Sequence, residues 1–336
     1  DLGEEQLDPL YDTICKLELN QVVIQFNFSF FDLDALKQLL VKLRADRVKV
    51  MICFHSTADV YWGEVKKSLL HLMPELQQVE RILVHSCSDL NRLKEWGVVE
   101  NCMLFPHGVS VPDLSESMAG KGLVQGADIR AKVPDLYRRL QGKTVIACYG
   151  FMLPHKGIET LIDSFAILTQ KQGRGAGKLH LLLVNALYPA EVSSELLEQC
   201  RAKVAGYGLG QEVTFVSDFL PEEECLAWLK KADVIVFPYQ HTQESSSAAV
   251  RTGLASGQPV LCTPLDIFED VEQAVNFLPG ISPEEIASGL QETLAMLANS
   301  EEARVWQQRR QLWLRQHHWP ELAQRMTGIL NAFMQR

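Results

Sequence analysis

The run DVIVFPYQHTQESSSAAVRTGLASGQPVLCT, Asp233 to Thr263, reads as strand, loop, helix and strand in quick succession. DVIVFPY is a continuous apolar stretch, the pattern of a strand buried on both faces. Three serines, Ser245 to Ser247, lead into a small-residue helical pattern that closes at Gly257, and QPVLCT is strand-like again. A helix beginning near Ser246 or Ser247 leaves its first amide groups without intrahelical partners, and its dipole places partial positive charge there. Small side chains keep that end open, so a diphosphate can approach the amides with serine hydroxyls as extra donors. One serine suffices for an ordinary helix cap. Three of them next to a strand end favour an anion site. Arg251, one turn into the helix, either faces the same anion or lies on the surface.

The same alternation extends in both directions. KTVIACYGF precedes the amphipathic pattern GIETLIDSFAILTQ, followed by KLHLLLVNA, a helix near 191–206, the strand EVTFVSD and the helix EEECLAWLKKA; further helices run from about Ser282 onward. The first part of the chain carries QVVIQFNF, LDALKQLLVKLR, VKVMICFH, a helix near 63–79, RILVHS, a helix around Leu90 to Trp96, and CMLFPHGV. Strands alternating with helical patterns predict an α/β fold with largely parallel sheets. Val111 to Gly142 is richer in Gly, Pro and polar residues and reads as a connector with one helical piece, VPDLYRRL; GKGLVQG and KQGRGAGK read as plain connecting loops. Two α/β halves imply two domains with a cleft between them. Ligands of such sheets bind beyond the carboxyl ends of the strands.

Composition narrows the function. The 336 residues suffice for about two domains of roughly 150 residues each. Acidic residues outnumber basic ones, 42 against 32, for a formal net charge of −10, which argues against nucleic acid as a partner. Eight cysteines without a C-x-x-C pair fit free thiols in a reducing, cytoplasmic setting. No run approaches the ~18 apolar residues of a membrane span. The Asp-x-Asp spacing at Asp32–Asp34 opens a helix pattern and reads as a cap, and the histidines lack ligand spacing, so no metal site is expected.

YGFMLPHKGIETL adds a lysine, Lys156, placed with Gly157 between a strand end and a helix, where a compact positive charge can meet a phosphate. With these motifs in order, the chain resembles glycosyltransferase family 4, retaining enzymes of GT-B fold. The resemblance rests on GFMLPHKGIETLIDSFA, VTFVSDFLPEEECLAWLKKADVIVFPY and ESSSAAVRTGLASGQPV in the second half, and on IQFNFSFF, VMICFHST, RILVHSCSDLNRLKEWGV and LFPHGV in the first. It implies two Rossmann-like domains facing a cleft, the first incomplete: an acceptor-side domain with connector over 1–142, a nucleotide-sugar domain over 143–310, and a terminal helix over 311–336 packing back on the first domain. It also implies roles. Lys156 would neutralise the donor diphosphate, Glu244 would contact the donor sugar, and Gly150, Ser246, Ser247, Arg251 and Thr252 would line the nucleotide site. His55, at the tip of CFHST, would stand beside the reacting sugar and acceptor. His107 would lie near the cleft or shape the loop there, and His85 reads as structural.

Three departures stand against the family pattern. Phe151 occupies the position of an arginine, Thr252 that of a ribose-holding glutamate, and the strands that normally open the acceptor domain are missing before QVVIQFNF, as in a shortened domain or a piece of a longer polypeptide. The resemblance implies retaining, metal-independent transfer from GDP-mannose or a UDP-sugar to a glycan or lipid-linked glycan, in bacterial surface polysaccharide or lipopolysaccharide synthesis. The donor would be a substrate, and no further cofactor is expected. The enzyme would be cytoplasmic, with peripheral contact at the inner face of the membrane. The alternative is a catalytically silent GT-B module of a larger assembly protein; a sugar-nucleotide epimerase is a weaker third reading.

Overall fold

The computed structural model describes residues 4–62, 64–111, 134–172, 178–242, 244 and 246–334. The loop GKGLVQG, most of KQGRGAGK and Ser245 lie outside the described residues. Chain order begins α1 (Glu4–Lys16), β1 (Gln21–Phe26), α2 (Leu33–Ala45), β2 (Lys49–Phe54), β3 (Val60–Trp62), β4 (Val65–Lys67), α3 (Met73–Leu76), β5 (Arg81–Val84), α4 (Cys87–Glu95) and β6 (Cys102–Leu104). It continues α5 (Pro134–Leu140), β7 (Thr144–Phe151), α6 (Ile158–Gln172), β8 (Leu179–Ala186), α7 (Glu191–Gly206), β9 (Val213–Val216), α8 (Glu222–Leu229) and β10 (Val234–Phe237). The last elements are α9 (Ala248–Ala255), β11 (Val260–Cys262), β12 (Asn276–Phe277), α10 (Pro283–Leu297), α11 (Ser300–His317) and α12 (Trp319–Met334).

Two compact units form. The first comprises Asp1–His107, Gln243–Ser246 and Leu322–Arg336, and the second Gly108–Thr242 and Ser247–Glu321. This division falls earlier than the boundary at 142 expected from the sequence. The cause is local: Val109, Val111 and Leu140 are buried in the apolar core of the second unit.

The first unit holds a parallel sheet in the order β1-β2-β5-β6. Period-two alternation sends Val50, Ile52 and Phe54 of β2 into the core beneath α1 and α2, with Leu7, Ile14, Leu36 and Leu39. Met51 and Cys53 point to the other face, where Leu322 and Phe333 of α12 join Leu83 and Phe105. Apolar cover on both faces is why VKVMICF reads as an unbroken hydrophobic run. Lys42 ties α2 to Asp8 of α1 at 2.6 Å.

One expectation fails here. The helix predicted near 63–79 is instead the antiparallel hairpin β3–β4, a tight 3₁₀ turn over Leu69–Leu72 and the single helical turn α3. Ser68 caps that turn, and Pro74, which lacks an N–H, sits where a helix starts rather than where one continues. Leu69, Leu72 and Leu76 are fully buried at the spacing that imitates a longer helix.

The second unit carries six parallel strands in the order β12-β11-β10-β7-β8-β9. Val145 and Ala147 of β7, with Ile235 and Phe237 of β10, enter one core; Ile146, Cys148, Val234 and Val236 enter the other. Among the described residues no helix is long and apolar enough to cross a membrane.

Candidate functional site

In the second unit β7 has β10 on one side and β8 on the other, so successive connections leave it in opposite directions. A crevice opens at the carboxyl ends of strands where the order reverses in this way. The exits of β7 and β10 flank that point. Gly150, near the end of β7, has φ +136°, a backbone state that side chains disfavour, and a Cβ there would lie 3.5 Å from Ala249. The next turn, Pro154–Lys156, ends on Gly157 at φ +69°. A Cβ on Gly157 would sit 1.8 Å from the carbonyl oxygen of Pro238, so only glycine lets this turn close on the exit of β10. The amide of Gln240 donates to the His155 carbonyl at 2.8 Å and locks the two segments together.

This seating buries Lys156 to 8% exposure and holds its Nζ 4.1 Å from the ring centroid of Tyr239. The Tyr239 hydroxyl is 3.0 Å from Ser247 Oγ, and Ser247 caps α9 by accepting from the Val250 amide at 3.4 Å. Gly253 allows α9 to press on β10, since a Cβ there would come within 2.8 Å of the Phe237 ring. One buried tyrosine thus links a buried ammonium to the start of a helix. Both are sources of positive potential, and together they suit an anion.

Arg251 is a correction. It is neither a surface residue nor a charge open to an anion: its side chain is 4% exposed, paired with Asp270, and its Nη1 donates to the Ser247 carbonyl at 2.7 Å. Burial lowers the Arg251 pKa and raises that of Asp270, and their mutual attraction opposes both shifts. The Thr252 hydroxyl hydrogen-bonds Tyr149, whose phenol burial raises to about 12. Phe151, in place of an arginine, stacks on Phe219 at 6.1 Å and 14° and meets Tyr188 edge-on at 5.3 Å. Phe219 is 79% exposed. Sequence reasoning missed this aromatic group because Tyr188 and Phe219 lie in separate loops; their shared position just after β8 and β9 is the signal that could have found it.

Glu244 is exposed and Ser246 half-buried, in the short segment that groups with the first unit. His55 also lies in the first unit, just beyond β2, with its Nε2 3.1 Å from Gln25 Oε1. Burial lowers its pKa, which favours the neutral imidazole. Its loop is anchored by Asp89, which is fully buried and accepts from the Thr57 amide at 2.9 Å, the Thr57 hydroxyl at 2.5 Å and the Ser86 hydroxyl at 2.7 Å. Three imidazoles meet here: the ring of His85 lies 5.1 Å from those of His55 and His107. Cys53 adjoins His85. The structure therefore brings Lys156, Gly150, Ser247 and Thr252 to one strand edge of the second unit, and His55, His85 and His107 to one of the first.

Residues 143–296 match the family model described as Glycosyl transferases group 1. Solved structures similar over nearly the whole chain include a glycosyltransferase from Rickettsia africae ESF-5, at 12% identity and TM-score 0.75, covering 99% of this chain and 81% of that one. Sucrose-phosphate synthase from Thermosynechococcus elongatus is 19% identical at TM-score 0.71, over 98% of this chain and 79% of its own. Anabaena Alr3699/HepE, solved in complex with UDP, is 13% identical at TM-score 0.73, over 97% and 83%. The fold is GT-B. A comparison with curated proteins finds no match. The match to the glycosyl transferases group 1 model spans β7 through α10, the segment that holds Gly150, Lys156, Ser247 and Thr252.

Proposed function

We propose that the chain transfers a sugar from a nucleoside-diphosphate sugar to a hydroxyl of a glycan or lipid-linked glycan. The observation that carries this reading is the Lys156–Tyr239–Ser247 chain at the reversal point of the second sheet. As the glycosidic bond breaks, two negative charges develop on the leaving diphosphate. The Lys156 ammonium and the first amides of α9 are preorganised to stabilise them. The sugar would meet Glu244, and the acceptor would meet His55. The transfer proceeds with retention, the leaving phosphate taking the acceptor proton, so that no protein nucleophile and no metal ion is needed for the chemical step. The nucleoside would rest on the aromatic group of Phe151, Tyr188 and Phe219 in place of the arginine and glutamate expected from the family pattern the sequence resembles. UDP in Anabaena Alr3699/HepE makes UDP-sugars the first donors to try, with GDP-mannose next.

The test is nucleotide release and transfer with a panel of UDP- and GDP-sugars, together with calorimetric titration of UDP and GDP. Lys156→Met is expected to lower turnover by about 100-fold, the usual effect of losing one preorganised charge donor. Glu244→Gln is expected to lower transfer while nucleotide binding persists. Phe151, Thr252 and the commitment of Arg251 to Asp270 favour one other reading, a catalytically silent module. A folded wild-type protein that binds none of the panel would establish that module and reject the transferase.

A further inference from the structure

Cys53, His55 and His85 converge in the first unit although nothing in their sequence spacing links them. The parallel register does it. Cys53 pairs with Leu83 and Phe54 with Val84, so one further step sets His55 beside His85 where the strands end. Cys53 and His55, two positions apart, share a face. One ligand atom from each of the three residues lies within 4.8 Å of the others.

One pair has the separation of a metal site. Cys53 Sγ is 3.4 Å from His85 Nε2. A tetrahedral zinc ion with Zn–S of about 2.3 Å and Zn–N of about 2.05 Å holds sulfur and nitrogen about 3.5 Å apart. The far side of His85 is already arranged for the task. Its Nδ1–H donates to the Phe105 carbonyl at 2.9 Å, which fixes the tautomer and leaves the Nε2 lone pair directed at Cys53. Gln25 orients His55 in the same way, accepting its Nε2–H at 3.1 Å, which leaves the lone pair on Nδ1. A plain thiol–imidazole hydrogen bond would account for Cys53 and His85, but not for the third ring oriented beside them.

We propose that Cys53, His55 and His85 form a binding site for a thiophilic divalent transition metal ion, best matched by Zn²⁺, with its fourth position towards His107. One sulfur and two imidazoles suit Zn²⁺ or Co²⁺ and not Mg²⁺ or Ca²⁺. The His107 ring lies 5.1 Å from that of His85 and 6.1 Å from that of His55. On binding, the Cys53 S–H bond breaks, the thiolate coordinates the ion and the proton passes to solvent. The site stands on this geometry alone and is independent of the transferase reading. In that reading, however, metal and acceptor would compete for His55.

Co²⁺ titration of the reduced, metal-stripped full chain tests the site through absorption. The expected result is one equivalent of Co²⁺ with the visible bands of a tetrahedral ion and a near-ultraviolet thiolate charge-transfer band, both abolished by Zn²⁺. Cys53→Ala should remove the charge-transfer band and weaken binding by at least about 100-fold. Cys87→Ser, at an exposed thiol nearby in the chain, should leave both unchanged. Should Cys53→Ala not fold, His55→Ala at a half-buried position serves instead, with the band retained and affinity lowered to a similar extent. A wild-type protein without the thiolate band, or a band that survives Cys53→Ala and vanishes in Cys87→Ser, overturns the proposal.

Discussion

Gly157 concentrates the backbone demands of the proposed anion site in one residue. Its left-handed conformation costs a side chain about 1–2 kcal/mol, and the contact a Cβ would make at 1.8 Å from Pro238 adds a clash with rigid backbone. Gly157→Ala is expected to lower unfolding stability by about 3 kcal/mol or more in urea titration, whereas Gly142→Ala should cost only the first term, because nothing lies within 4 Å of a Cβ there. The Arg251–Asp270 pair makes a second residue-scale prediction. Asp270→Ala strands a guanidinium that is 4% exposed and should cost about 3–5 kcal/mol, while Arg251→Met with Asp270→Leu should recover most of that loss. The placement of Lys156, Gly150 and Ser247 was legible in the sequence because each is fixed by its neighbours: a strand end, a turn and a helix start. Arg251 was not, because the residue that decides its role lies nineteen positions on, in a segment with no pattern of its own.

Elements show the same division between local and distant causes. The parallel strands were legible because both faces of each sheet are covered, which leaves unbroken apolar runs such as LHLLLVNA in β8. The hairpin β3–β4 was not, because Leu69, Leu72 and Leu76 repeat at near-helical spacing around a proline that ends one structure and begins another. Nor was the cysteine–histidine group, since parallel pairing joins residues about thirty positions apart. Within β8, His180 is fully buried, with its Nε2 2.9 Å from Thr214 Oγ1. Burial, helped by Arg139 and Lys143, lowers its pKa from 6.5 to about 4. The unfolded chain therefore takes up a proton below pH 6.5 that the folded chain refuses until about pH 4. Stability contributed by neutral His180 is complete above pH 6.5 and is lost as the pH falls through this window, by roughly 3 kcal/mol in all. Chemical denaturation at a series of pH values should show that slope in the wild type and a flatter one in His180→Gln. An equal slope in the variant would assign the acid sensitivity elsewhere.

At the scale of the whole molecule, the fold of the first unit draws on a helix more than two hundred residues removed in the chain. The sheet β1-β2-β5-β6 has two apolar faces, and α1 and α2 cover only one. On the other face Met51, Cys53, Leu83 and Phe105 meet Leu322 and Phe333 of α12, at 1% and 8% exposure. Without that helix the inner residues of β2 and β5 would face water, and a parallel sheet open on one face is a poor structure. Leu322→Ala should therefore cost about 2–5 kcal/mol, and the loss should register in the first unit. Native-state hydrogen exchange is the measurement: amides of β2 and β5 should exchange faster in the variant, while those of β7 and β8, whose apolar core neighbours among the described residues belong to the second unit, should keep their protection. The same substitution lies beneath Cys53 and should loosen the proposed metal site without touching a ligand. Equal loss of protection in both sheets would mean that α12 stabilises the chain by some route other than covering this face.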